Sequence, residues 1–280
     1  MNAYLELTKP RITWLILMST AVGCLFGHSE AFDWLAFLHT LLGTGLLASG
    51  TAALNQWYEW DADGRMNRTK ARPIPSGRIE RSRALVFGIG LSLAGFVELW
   101  FGANPLAAAL GLFTLLSYLL LYTPLKRRSP HSTTVGAIPG AMPPLIGYAA
   151  AHGHLNWEAA ALFGILFLWQ FPHFYSIAWM YREDYGRAGI RMLPVVEPDG
   201  RSTARHILVT ALLLIPVSLA PTLLNMTGRL YLYGALVAGA LFLYASWQVA
   251  FEKTVERARG VLLASVVYLP VLYGLMLIDR

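Results

Sequence analysis

Apolar residues occur along this chain in long blocks separated by short polar stretches. The blocks cover residues 12–28, 34–58, 84–102, 105–122, 133–151, 157–180, 205–224, 230–250 and 260–278. A helix needs about 20 apolar residues to cross a bilayer, and each block approaches or exceeds that length. The pattern predicts an all-α, polytopic membrane protein, one domain over residues 1–280 with nine transmembrane helices. Of the 22 Lys and Arg residues, 20 fall in alternate connections, and Arg229 and Arg280 alone fall in the others. Nine spans with a cytoplasmic N-terminus and a periplasmic C-terminus satisfy that asymmetry, whereas eight or ten would scramble it. The outer connections, 28–33, 102–104, 152–156 and 225–229, are short turns. Trp34, Trp157, Tyr231 and Tyr233 stand at span ends, where amphipathic rings prefer the interface.

The second block runs straight into Asn55-Gln-Trp-Tyr-Glu59-Trp-Asp-Ala-Asp63-Gly64. Asn55, Glu59 and Asp63 are spaced by four, so a helix stacks them on one face. An ionisable group near the bilayer centre costs on the order of 2.5–3.5 kcal/mol, less towards the interface. Such groups persist where they face a cavity, a cation or one another. Arg68, Lys70 and Arg72 follow at once. Acidic oxygens beside a basic cluster suit a divalent metal bridging to a phosphate-bearing ligand. Charged helix ends and basic loops also follow from topology alone, and Arg65, Lys70, Arg78 and Arg81 fit that reading equally well.

The chain is 56% hydrophobic and 14% charged, with mean hydropathy +0.49. Soluble domains average about 25% charged, so a separate soluble domain is not expected. The net charge of +6 is spread by topology, which argues against a nucleic-acid partner and leaves membrane lipid as the surroundings. The single Cys24 lies inside an apolar block and excludes an intrachain disulfide or cysteine zinc site. Neither a cleavable signal nor an organelle transit peptide is recognised ahead of residue 12, so a bacterial inner membrane is expected.

Three more polar groups fall on the same predicted side. They are Lys9-Pro10-Arg11, Tyr122-Thr-Pro-Leu-Lys126-Arg127-Arg128, and the end of the sixth span with its loop, from Trp169-Gln-Phe-Pro-His173 through Arg182-Glu183-Asp184-Tyr185 to Arg191. Mg²⁺ typically meets a protein through one or two carboxylates plus water and substrate phosphate. Lys and Arg neutralise the other phosphate oxygens, and together these groups stabilise charge on a departing diphosphate. An apolar, aromatic chamber then shelters an electron-poor carbon fragment from water. Gly136, Pro139, Gly140, Pro143 and Pro144 predict a bent fifth span, either a packing kink or a wall opened for a large ligand. No phosphate-binding Gly-rich loop, complete calcium loop or His-Glu-x-x-His motif is present.

These motifs resemble the UbiA superfamily of intramembrane prenyltransferases. The likeness rests on Asn55, Glu59, Asp63, Met66, Arg68, Thr69 and Arg72, with Ala62 where a bulkier apolar residue is usual. Within that superfamily the chain is similar to the protoheme IX farnesyltransferase (heme O synthase) branch. The marks are Leu7–Arg11, Arg72–Gly77, Tyr122–Arg127, Trp169–Phe174 and Glu183–Val196. Quinone-pathway relatives carry Asp-x-x-x-Asp in the second loop, whereas here Tyr181 and Tyr185 hold those ends, with Asp184 between. The resemblance implies a helical bundle around a central cavity open to the cytoplasm. It implies farnesyl diphosphate and heme b as substrates, Mg²⁺ as cofactor, heme O and diphosphate as products, and a heme A synthase as partner. On that basis Asn55, Glu59, Asp63 and Asp184 are the expected catalytic metal ligands, with Glu183 assisting. Arg68, Arg72 and Lys126 hold the diphosphate. His173, His131 and Arg182 are candidates for heme, with His206, Arg187 and Arg191 at the same rim.

Overall fold

The computed structural model describes residues 2–28 and 32–280, so residues 29–31 of the first outer turn lie outside the described residues. The regular structure of the described residues is all helical, without strands. A short helix α1 (Ala3–Leu7) leads into α2 (Pro10–Gly27), α3 (Trp34–Arg65) and α4 (Arg81–Gly102). Next come α5 (Pro105–Leu116) and α6 (Thr123–Leu125), joined by a π-helical stretch, Ser117–Tyr122. They are followed by α7 (Ser132–Gly140), α8 (Met142–His152), α9 (Trp157–Met180), α10 (Arg182–Arg187) and α11 (Leu193–Val196). Three long helices end the chain: α12 (Arg201–Leu223), α13 (Arg229–Phe251) and α14 (Val255–Ile278).

Among the described residues eight helices are long and apolar enough to cross a membrane, counting Pro105–Leu125 as one. The fifth predicted span, 133–151, is instead two short helices meeting at Ala141. Prolines explain the break: Pro139, Pro143 and Pro144 flank it, and a proline gives no amide hydrogen to the preceding turn. Gln170 of α9 supports the break by donating to the Ala137 carbonyl at 3.1 Å. Helix α3 outruns its predicted end at residue 58 and continues to Arg65. Its 32 residues span about 48 Å, well beyond the roughly 30 Å of hydrocarbon. Its last turns therefore carry polar side chains past the apolar layer.

The bundle is wrapped in exposed apolar side chains, among them Phe101, Trp157 and Val86, as expected for a protein whose solvent is lipid. Helix association in that solvent relies on close approach at small residues. Helices α2 and α8 show this: a Cβ on Gly23 would strike the Pro144 carbonyl, and one on Gly147 the Thr20 carbonyl. The largest core joins α9, α12, α13 and α14 through residues such as Ile165, Ile207, Phe242 and Leu272. A smaller cluster matters more for the site. Ala62 and Met66 at the end of α3 pack with Ala178, Ala188, Ile190 and Met192 from the end of α9 and its loop. That contact binds two segments more than a hundred residues apart in sequence.

Hydrogen bonds sort the connections into two ends. At one end, Lys9 reaches Asn55, Lys126 reaches Glu59, Arg68 reaches Asp184, and the Arg191 amide reaches the Lys126 carbonyl. At the other, Asn104 reaches Ala149, the Gly228 amide reaches the Asp279 carbonyl, and Arg280 reaches His28. The segments predicted to share a side from charge alone are thus gathered at one end of the bundle.

Candidate active site at the basic end of the bundle

Helix α3 presents Asn55, Glu59 and Asp63 inward. They are only 2%, 8% and 1% exposed. The four-residue spacing works because the helix stays regular through Asp63 and ends two residues later. Asn55 donates to Glu59 at 2.8 Å and lies 3.4 Å from the Thr123 hydroxyl. Glu59 pairs with Lys126 at 3.0 Å. The Asp63 carboxylate accepts two hydrogen bonds from Arg72 Nη1, at 2.8 and 2.7 Å. The Thr69 hydroxyl closes the turn by donating to the Asp63 carbonyl at 2.8 Å.

The position of Lys126 has a local cause. Pro124 has no amide hydrogen for the α-helical ladder. The chain runs through the π stretch just before it, and Thr123 Oγ1 donates five residues back, to the Tyr118 carbonyl, at 2.8 Å. A π turn inserts one extra residue and re-aims the residues after it, as is frequent at functional sites. Lys126 then sits 4.5 Å from the centre of the Tyr122 ring as well as on Glu59. Burial by itself lowers an ammonium pKa. Here the Glu59 carboxylate, with Tyr122 and Tyr118, outweighs it and holds Lys126 above its ordinary range.

The second loop contributes one buried acid. Asp184 accepts from the Arg68 amide at 3.2 Å and pairs with Arg187. Arg68 also donates to the Tyr185 hydroxyl at 3.1 Å, with its guanidinium 5.1 and 5.7 Å from the Tyr181 and Tyr185 ring centres. Tyr181 and Tyr185 therefore hold an arginine of the first loop.

Glu183 is exposed and makes no ion pair among the described residues. His131 is exposed at the start of α7, where its backbone is engaged, the amide with Ser129 and the carbonyl with Thr134 and Val135, and its ring makes no hydrogen bond among the described residues. Arg182 turns back on the end of α9, 4.5 Å from the Trp179 ring centre and donating to the Trp179 carbonyl. His173 faces α14 rather than the acids, with Nδ1 2.8 Å from Ser265 Oγ. His206 engages the Ser202 carbonyl of its own helix. His152 lines a cavity of about 310 Å³ at the opposite end, with Phe26, Tyr148, Glu158 and Arg280. The 18 residues of α2, about 27 Å, separate the two ends.

Lys9 is more central than its sequence motif suggests. It adopts the left-handed conformation, φ 49°, between α1 and α2, and sends Nζ to within 3.2 Å of Asn55 Oδ1. Such a backbone is uncommon outside glycine. It is held by Pro10 at the start of α2 and by α1, whose Leu7 carbonyl accepts from Gln56 at 2.9 Å. Burial, then the nearby Arg72 and Lys126, push the Lys9 ammonium down to about 7, against the pull of Glu59 and Asp63. Cations that depress one another in this way gain from a bound polyanion.

Among the described residues no group of three or more His, Cys, Asp or Glu side chains converges as a ready metal cage. Each buried carboxylate is turned to a cation instead: Glu59 to Lys126, Asp63 to Arg72, Asp184 to Arg187. The donor set is nonetheless all oxygen, from one amide and three carboxylates, which is the set Mg²⁺ takes. The residues fit a metal that arrives with an anionic ligand able to draw the cations onto itself.

The chain as a whole is similar to known proteins. The sequence matches the UbiA prenyltransferase family over residues 16–267. It is 65% identical to a protoheme IX farnesyltransferase of Solibacter usitatus, covering 100% of this chain and 99% of that protein. It is 48% identical to one of Koribacter versatilis, covering 99% and 93%. The fold is similar to a solved structure of digeranylgeranylglyceryl phosphate synthase, with TM-score 0.82 at 20% identity over 99% of this chain and 97% of that one. It is also similar to a UbiA homologue from Archaeoglobus fulgidus bound to GPP and Mg²⁺, with TM-score 0.66 at 14% identity over 98% and 99%.

Proposed function

Because the chain belongs to the UbiA prenyltransferase family, we propose that it joins the farnesyl group of farnesyl diphosphate to a vinyl group of heme b, giving heme O. The observation that carries this reading is the buried inward row Asn55, Glu59 and Asp63, surrounded by Lys9, Arg72 and Lys126 and tied through Arg68 to Asp184. The full-length relatives at 65% and 48% identity support the choice of substrates.

Asn55, Glu59, Asp63 and Asp184 would hold Mg²⁺, which supplies a positive charge for the diphosphate oxygens. Lys9, Arg68, Arg72 and Lys126 bind the remaining oxygens. Their positive charge favours the leaving group as the allylic carbon–oxygen bond breaks. The bond electrons leave with diphosphate. The farnesyl C1 then bonds the terminal vinyl carbon, and the cation so formed next to the porphyrin takes up water, which loses a proton to become the hydroxyl. One heme b, one farnesyl diphosphate and one water thus give heme O, diphosphate and a proton. The surrounding apolar helices keep water from the allylic carbon until the carbon–carbon bond has formed.

On the same reading the basic end faces the cytoplasm of a bacterial inner membrane, the C-terminus faces the periplasm, and the central chamber opens at the basic end. The broken α7–α8 pair makes the ninth crossing. A heme A synthase, which consumes heme O, is the expected partner. The decisive assay incubates purified protein with Mg²⁺, farnesyl diphosphate and either heme b or 4-hydroxybenzoate. Mass spectrometry should find a farnesylated, hydrated heme and no prenylated benzoate. Prenylation of benzoate alone would move the chain to the quinone branch.

A further inference from the structure

His173 lies in α9 directly after Pro172, half-buried, two turns before the helix ends at Met180. That places it about 10 Å inside the basic end. Its Nδ1 is 2.8 Å from the Ser265 hydroxyl on α14, and the same hydroxyl is 2.6 Å from the Leu262 carbonyl. A carbonyl only accepts, so making both bonds commits the one hydroxyl proton to Leu262. Ser265 Oγ is then the acceptor for His173, and the ring proton sits on Nδ1. Nε2 is left with a lone pair and no proton.

The ring is also held in plane. Trp169, one turn earlier, stacks on it with centroids 4.8 Å apart and planes 24° from parallel. Trp169 is fixed in turn by its indole N–H, which donates to the Ser265 carbonyl at 2.8 Å. Ser265 itself is fully buried. Nε2 makes no hydrogen bond among the described residues and is not sealed inside the protein. Three residues are thus arranged around a nitrogen that they leave vacant. His206 lacks this second-helix clamp, since it bonds only a carbonyl of its own helix.

We propose that His173 ligates the iron of the porphyrin substrate through Nε2, with Ser265 and Trp169 as the positioning residues that set its tautomer and plane. Neutral imidazole with its other N–H anchored is the form in which histidine binds iron. The inference rests on heme being the acceptor, as proposed above, and adds the point at which the protein grips it.

The test uses full-length protein purified in detergent and loaded with heme b. Reduced wild type should show an iron–imidazole stretching band by resonance Raman. His173→Ala should lose the band and retain heme at least about tenfold more weakly, and added imidazole should restore the band. Ser265→Ala should keep the band at a shifted frequency, with heme retention about tenfold weaker. An unchanged band in His173→Ala, or its loss in His206→Ala instead, overturns the assignment. Should the alanine variant fail to fold, His173→Met carries the test, and persistence of the imidazole band there overturns the assignment too. Failure of the wild type to prenylate heme would strike the acceptor reading. A band that persists in the His173 variants, while the wild type makes prenylated heme, would strike the ligand assignment alone.

Discussion

The two loops at the basic end answer the same chemical demand with unequal means. The first, after α3, has three oxygen donors on one regular helix face, and each is met by a cation from a different place in the chain. Lys9 comes from before α2, Lys126 from beyond the π stretch, and Arg72 from the loop itself. The second, after α9, buries a single carboxylate, Asp184, and leaves the neighbouring Glu183 exposed. On either side of Asp184 it carries Tyr181 and Tyr185, which hold Arg68 through their rings and one hydroxyl. The difference teaches that the site is polarised. On the proposed reading the first loop carries the charged ligand, and the second anchors the first.

That contrast can be broken most directly at the first loop. Asp63→Asn or Glu59→Gln should reduce product formation by about 10²–10³-fold while the protein still inserts, since each removes charge stabilisation at the leaving group. Full activity in both would end the polarised view. Removing divalent metal with EDTA should abolish turnover in wild type, and Mg²⁺ should restore it, while heme binding read by absorbance stays unchanged. Asp184→Asn should cost less, about tenfold, because it leaves the three donors of α3 in place around the metal, and Glu183→Gln should stay close to wild type. Equal losses from Asp63 and Asp184 would instead make the two loops equivalent. The smallest effect belongs to Tyr185→Phe, which removes one hydrogen bond to an exposed arginine. A net hydrogen bond contributes about 0.5–1.5 kcal/mol, so KM for farnesyl diphosphate should rise only a few-fold.

Much of this was legible in the residues. The Asn55, Glu59 and Asp63 spacing specified a shared face because a helix repeats near four residues, and burial of that face followed from its position at the end of an apolar block. The charge asymmetry of the connections anticipated which loops meet. Lys9 was visible only as a weak Lys-Pro-Arg motif. Its importance comes from a left-handed backbone and from α1 clasped to α3, neither of which leaves a periodic signal. The fifth block looked like a bent span and is two helices. Its prolines announced the break, but the Gln170 side chain that supports it comes from α9, about 30 residues on in sequence.

Length, apolarity and charge by themselves determined a helical membrane bundle, the grouping of its basic loops and the identity of its acidic row. These are local or additive properties, fixed by transfer free energy and helix period wherever the chain lies. Tertiary structure alone decided which cation meets which carboxylate, that Tyr181 and Tyr185 grip Arg68, and that the His173 ring meets Ser265 of α14. Those pairings depend on ångström-scale approach between helices far apart in sequence. The register of that approach is set by close-packed glycines, a π turn and proline breaks acting together.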